Sequence, residues 1–254
     1  MESSLCSYNG YMDNSIERPK PKLRSIFAYG VHVFTATGSV FGFLALLAVI
    51  QHNWWWMIVW MIASILVDGL DGFLARWADT KAYASKFDGA LMDNIIDYFT
   101  YVVVPALFLY ESDVLPPGWG IVVASAILLA SAFQFSRTDA KTDDHFFTGF
   151  PSYWNIVAIY ALLLGLNPWA NLVIILFLVL LVFLPIKYVY PTRTPYLRTL
   201  TLSLIAIYGV IGLWGLISYP NVPAWTIWAT FAFFGYYFVL SLWLTFKTRK
   251  IIKE

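Results

Sequence analysis

Cysteine is nearly absent: Cys6 is the single thiol in 254 residues. One thiol excludes an internal disulfide, a CxxC redox pair and a thiolate zinc site. Charge is scarce too, because Asp, Glu, Lys and Arg make up only 12% of the chain, against about 25% in soluble domains. The formal net charge of +1 gives no overall attraction for nucleic acid. Histidine occurs three times, at 32, 52 and 145, too dispersed for a metal triad; His32 falls in an apolar run, where a structural hydrogen bond is its expected role. No internal repeat stands out, and the links between apolar runs are too short to build a soluble domain. A cleavable secretory signal is also missing. Residues 1–24 form a polar N-terminal segment ending in Lys20, Lys22 and Arg24, and the apolar run behind them is long enough to remain as a span.

Apolar residues, in contrast, fill 60% of the chain and aromatics 19%, including 12 Trp and 16 Tyr. Aromatics anchor helices at membrane interfaces or line a pocket for a cation. A membrane-crossing helix needs about 20 mainly apolar residues, and windows of that length give eight candidates: 27–50, 54–76, 87–110, 118–136, 152–167, 169–187, 199–218 and 223–246. Asn167–Pro168 is the turn signal between the fifth and sixth. Basic residues gather in alternate loops, with Arg76, Lys81 and Lys86 in one, Arg137 and Lys141 in the next, and Lys187, Arg193 and Arg198 in a third. The opposite loops hold Glu111 and Asp113 instead. The positive-inside rule places the basic side in the cytoplasm. The expectation is an all-α polytopic membrane protein of eight transmembrane helices with both termini cytoplasmic, a membrane domain over 25–247 and a basic tail over 248–254.

Acidic residues concentrate in one stretch, LVDGLDGFLARWADTKAYASKFDGALMDNIIDY, from 66 to 98. Asp68 and Asp71 lie three apart near the end of the second span; Asp93 and Asp97 lie four apart near the start of the third. Both spacings place a pair on one helical face. Gly72, Ala75 and Gly89 keep the facing surfaces small, so the two helices can approach and leave a shallow notch walled by carboxylates. Asp79 and Asp113 read as solvated, and Asp88 as a complement to the positive end of the third helix. Four carboxylates converging within membrane helices mark a functional site. Such like charges repel unless cations neutralise them, and without His or Cys the natural partners are hard divalent metals, magnesium or manganese rather than zinc. These metals in turn point to phosphate ligands.

The run Asp68-x-x-Asp71-Gly72-x-x-Ala75-Arg76, followed by Gly89-x-x-x-Asp93-x-x-x-Asp97, resembles the signature of the CDP-alcohol phosphotransferases. The resemblance implies that Asp68, Asp71 and Asp93 hold two divalent metal ions, Mn or Mg, and that Asp97 is general base and ligand. It implies that Gly72, Ala75 and Gly89 let the cytidine nucleotide lie close to the helices, and that Arg76 serves the phosphates or the acidic network. Thr35, Thr37 and Gly38 of the first span border the same notch. The spacer from Trp77 to Asp88 is twelve residues, longer than the family usually shows. That lengthening, the eight spans, and the stretches Asp93–Tyr98 and Phe147–Asn155 look like the bacterial phosphatidylcholine synthase branch, over about 24–220. The implied reaction transfers the phosphatidyl group of CDP-diacylglycerol to choline and releases CMP, by direct displacement, at the cytoplasmic face of the bacterial inner membrane, with the enzyme a homodimer.

Choline is a quaternary ammonium without an N–H, best held by aromatic faces. Tyr98, Phe150, Tyr153, Trp154 and Tyr190 are the candidates; Tyr153 and Trp154 rank first because they follow a Gly-Phe-Pro turn at a helix start. Arg137, Lys187, Arg193 and Arg198 are candidates for lipid phosphate. Two rivals remain: the same metal site with serine, inositol or glycerol phosphate as acceptor, and an ion-coupled transporter. A transporter site is expected at the midplane beside broken helices, often with internal repeats, neither of which this acidic cluster shows.

Overall fold

The computed structural model describes residues 22–139, 146–190, 194 and 196–251. The chain opens with a helical hairpin, α1 (Lys22–Ile50) and α2 (Trp54–Trp77). Asn53 caps α2 by accepting the Trp56 N–H at 3.3 Å. The long spacer after α2 holds one further turn, α3 (Thr80–Tyr83), whose Tyr83 is fastened to the start of α1. Arg24 donates to its hydroxyl and Ser25 to its carbonyl, both at 3.0 Å.

The third apolar segment is one continuous stretch, Gly89–Glu111, made of α4 (Gly89–Asp97), a π-helical turn (Tyr98–Val103) and α5 (Val104–Glu111). Asp88 caps it, its carboxylate accepting the Ala90 and Leu91 N–H groups, as expected for an acid at a helix N-terminus. Small residues on α1 set how near this segment comes. A Cβ on Gly38 would stand 2.9 Å from Ile96 Cγ2, and one on Gly42 2.7 Å from the Phe99 ring. Glycine at both places lets α1 touch the third segment without displacing it.

Next come α6 (Gly120–Ser136), β1 (Phe146–Thr148), α7 (Trp154–Leu163), α8 (Pro168–Phe183), β2 (Lys187–Val189), α9 (Arg198–Ile217) and α10 (Ala224–Ile251). One core, including Met57, Met61, Phe108, Leu109, Ile127, Trp154 and Ile175, joins α2, α5, α6, α7 and α8. Large apolar side chains such as Phe43, Leu66, Leu129, Val173 and Trp228 are exposed around it, as on a surface built to meet hydrocarbon rather than water.

Every expected apolar segment is a helix, in the expected order. Five are long and apolar enough to cross a membrane, whereas α6, α7 and α8 are shorter. The fifth, expected over 152–167, is the greatest departure: α7 has 10 residues, a rise of about 15 Å against a hydrocarbon core of about 30 Å. The cause lies just upstream. The Gly149 N–H bonds the Ile186 carbonyl at 2.9 Å and the Phe150 N–H the Leu181 carbonyl at 3.1 Å, while Gln134 donates to the Thr148 carbonyl at 2.8 Å. The chain thus enters the helix layer in extended form, its backbone groups bonded to α6, α8 and the segment just after α8, and becomes helical only from Trp154. Irregular backbone is tolerated there because it is enclosed by protein.

The two-stranded ribbon was not foreseen. β1 and β2 pair antiparallel, Phe147 opposite Tyr188. The outer edge of β2 is covered by one face of α10, where Tyr237, Ser241 and Thr245 recur every four residues. Val189 N–H bonds Ser241 Oγ at 3.2 Å, Lys187 N–H bonds Thr245 Oγ1 at 2.9 Å, and the Tyr237 hydroxyl donates to the Val189 carbonyl at 2.8 Å. Hydroxyls here stand in for a third strand and close an otherwise open edge.

Gly149 governs this junction. Its φ is +81°, and a Cβ would collide with the Val182 carbonyl. Gly149→Ala should therefore cost about 2 kcal/mol or more and lower the thermal unfolding midpoint in detergent. A midpoint equal to wild type would show that the junction is not strained by a side chain.

Candidate functional site

The buried stripe of α2 runs Met57, Met61, Ser64, Val67 and then Asp71, so a carboxylate takes the place of the next core side chain. Asp71 is only 7% exposed. Asp68 on the same helix and Asp93 on α4 are half-buried. One carboxylate oxygen from each of Asp68, Asp71 and Asp93 lies within 4.8 Å of the other two. Thr35 of α1 is within hydrogen-bond reach of Asp71, and the Arg76 charge acts on the same carboxylate. The Arg76 guanidinium lies back over Gly72. The second and third apolar segments thus bring their acids together, as their spacing requires.

Asp97 stands one turn after Asp93 and is not part of that close trio. Its charge, with that of Asp68, acts on Tyr101 and Tyr153, which places it on the side of the cluster facing α7. Tyr101 is 8% exposed and donates its hydroxyl to Asp68 Oδ2. Sequence reasoning missed Tyr101, although Asp93, Asp97 and Tyr101 continue one four-residue spacing. In an ideal α-helix that spacing drifts off the face. The π turn corrects the drift: the Val104 N–H reaches back five residues to the Phe99 carbonyl, a wider turn that rotates the following side chains backward.

Three carboxylate oxygens in one small volume, without nitrogen or sulfur donors, match the ligand chemistry of a hard divalent cation. Gly72, Ala75 and Gly89, the residues expected to wall a notch beside them, are all half-buried. His32 departs from its expected structural role. It is 7% exposed, its ring lies against Gly89, and its Nε2 has no hydrogen-bond partner among the described residues. A buried nitrogen without a partner costs free energy unless something satisfies it, and a nucleotide in the notch would do so. The Thr37 hydroxyl is bonded to the Phe34 carbonyl at 2.6 Å.

The aromatic candidates separate. Trp154 is 0% exposed and donates Nε1 to Ser131 Oγ at 2.8 Å, so it is a core residue and its ring offers no face to a ligand. Phe150 packs edge-on against it. Tyr98 also faces elsewhere, bonding the Leu128 carbonyl at 3.0 Å and packing on Phe135 of α6. Tyr153 points the other way, its ring 6.4 Å from that of Tyr101. Tyr190 packs at a tilt on Phe147, ring centroids 4.6 Å apart, and is a near neighbour of Tyr153.

Among the cations, Arg137 makes a bidentate pair with Asp139 at 2.8 and 2.7 Å, which holds the Asp139 carboxyl below its usual range and meets the arginine's charge locally. Lys187 lies over the Phe146 ring, and Arg198 opens α9. Arg193, Lys141 and His145 lie outside the described residues.

A family model described as CDP-alcohol phosphatidyltransferase matches residues 29–187. The chain is similar to a protein of Legionella pneumophila named phosphatidylcholine synthase, 36% identical over 92% of this chain and 94% of that protein. Proteins of the same name from Borreliella burgdorferi (34% identical, 88% of this chain, 97% of the relative) and Rhizobium meliloti (35%, 80% and 84%) are similar as well.

Two outcomes follow from this geometry. Tyr101→Phe removes the donor to Asp68 and should weaken manganese binding about tenfold, read by titrating free manganese with electron paramagnetic resonance; unchanged binding would show that Asp68 needs no such support. Trp154→Ala should destabilise the protein by about 3–5 kcal/mol and leave the Michaelis constant for choline unchanged in the folded fraction; a selective rise in that constant would restore Trp154 to the site.

Proposed function

We infer the function from one premise: the chain belongs to the CDP-alcohol phosphatidyltransferase family. Its reaction transfers the phosphatidyl group of CDP-diacylglycerol to choline and releases CMP, as the names of relatives aligned over most of the chain indicate. The observation that carries this reading is the convergence of one carboxylate oxygen from each of Asp68, Asp71 and Asp93.

In this reading Asp68, Asp71 and Asp93 hold two divalent ions, manganese or magnesium. When bound, such ions polarise phosphoryl oxygens and neutralise charge on the departing CMP. Arg76 adds a fixed positive charge at the same edge, and Gly72, Ala75 and Gly89 admit the cytidine nucleotide. Asp97 accepts the proton of the choline hydroxyl as its oxygen attacks the lipid-side phosphorus and the bond from that phosphorus to CMP breaks. Since Asp97 lies beyond the close trio, its role is that of the base more than a ligand. No nucleophilic His or Cys lies among the motif residues, so transfer is direct, and alignment together with charge neutralisation accounts for the rate.

The catalytic domain spans 25–247, and eight apolar segments, the fifth entered in extended form before α7, cross the bacterial inner membrane with both termini and the acidic cluster on the cytoplasmic side. That placement agrees with the alternate-loop pattern of Lys and Arg. The enzyme is a homodimer in this reading. Lys187 and Arg198 serve the lipid phosphates, with Arg193 a candidate from the sequence alone, and Arg137, paired with Asp139, contributes least.

CMP release by purified protein tests the assignment. With CDP-diacylglycerol and manganese, choline should support release, whereas serine, inositol and glycerol phosphate should not. Release with one of those three in place of choline would keep the family and change the acceptor.

A further inference from the structure

The family match ends at residue 187, yet similarity to proteins named phosphatidylcholine synthase covers as much as 92% of the chain. Helices α9 and α10 lie beyond the shared family region, and α10 nonetheless reaches the site. Its Tyr237 is partly exposed, stacks 6.3 Å from Tyr188 and is tied to the Val189 carbonyl at 2.8 Å. Its side chain lies close enough to that of Tyr153 for the two hydroxyls to interact. Tyr153 feels the charges of Asp68 and Asp97 and borders Tyr101, which itself holds Asp68. A continuous run of tyrosines therefore leads from the acidic cluster to the last helix. Tyr153, Tyr190 and Tyr237 keep accessible surface, whereas Trp154 and Tyr188, at 0% and 2% exposure, do not.

We propose that Tyr237 of α10, together with Tyr153 and Tyr190, forms the wall that binds the quaternary ammonium of the acceptor alcohol and so determines which alcohol is used. This rests on choline being the acceptor. Choline carries its hydroxyl and its cation two carbons apart, so a hydroxyl placed at Asp97 puts the cation beside that carboxylate, where Tyr153 and its neighbour Tyr237 lie. A trimethylammonium group cannot donate a hydrogen bond, and ring faces bind it through their negative quadrupole. The ribbon fixes the geometry, since Tyr237 and Tyr190 are both held by β2 or its continuation. Two of the three wall residues, Tyr190 and Tyr237, thus lie beyond the general family region, while Tyr153 and the metal and nucleotide contacts lie within it.

The test compares choline with 3,3-dimethyl-1-butanol, which has the same shape and no charge, as acceptors for wild-type, Tyr237→Leu and Tyr237→Phe proteins. The ratio of kcat/KM for the two alcohols does not depend on how much protein is folded. Wild type should favour choline; Tyr237→Leu should lose about tenfold of that preference, and Tyr237→Phe, which keeps the ring, should retain it. An unchanged ratio in Tyr237→Leu refutes the role of Tyr237 and leaves the choline assignment standing. An equal loss in Tyr237→Phe also refutes it, because the hydroxyl tether and not the ring would then matter. Wild type inactive with choline refutes the assignment itself. Should Tyr237→Leu fail to fold, ring-fluorinated phenylalanines at 237 keep the shape and drain the ring face; the preference must fall with each added fluorine, and a flat series overturns the proposal.

Discussion

Three carboxylates share a space in which they repel one another. With their oxygens within 4.8 Å, each ionised pair costs about 3 kcal/mol or more at an effective dielectric near 20. One member, Asp71, sits where α2 would otherwise bury an apolar side chain. Arg76 and Thr35 offset part of the cost, and the Tyr101 hydroxyl stabilises Asp68. A divalent cation held between the three oxygens would neutralise their mutual repulsion. The rest of the fold serves to bring these acids together and to reserve the adjacent space.

That service is visible in the backbone. Gly38 and Gly42 let α1 lie directly against Ile96 and Phe99, which presses the third segment toward α2. The π turn then returns Tyr101 to the face that carries Asp93. On the other side, the extended entry into α7 places Tyr153 inside the bundle beside Tyr101, and the ribbon clamps this entry to α8 and α10. The long spans carry the acids, on α2 and α4, and the irregular elements set the places of Tyr101 and Tyr153 beside them.

Much of this was legible in the residues. Long apolar runs gave the helices and their order, and acids at spacings of three and four gave the cluster. Asp88 at a helix start gave a cap. What escaped had no periodic signal. The ribbon of Phe146–Thr148 with Lys187–Val189 joins segments some forty residues apart, and three-residue strands leave no pattern to read. The shortness of α7 comes from hydrogen bonds to α6 and α8, a tertiary effect that hydropathy does not report. Trp154 looked like a ligand contact because it follows a turn beside Tyr153, yet adjacent residues at a helix start point in different directions, and one indole N–H bond to Ser131 commits it to the core. Tyr237 was hidden among the many aromatics of an evenly apolar helix.

The account stands on a divalent cation lying between Asp68, Asp71 and Asp93. Anomalous diffraction at the manganese absorption edge, from crystals grown with manganese, tests this most directly. The account predicts a peak bounded by oxygens of all three carboxylates. Well-ordered carboxylates with no peak between them, or a peak bound elsewhere, would contradict it.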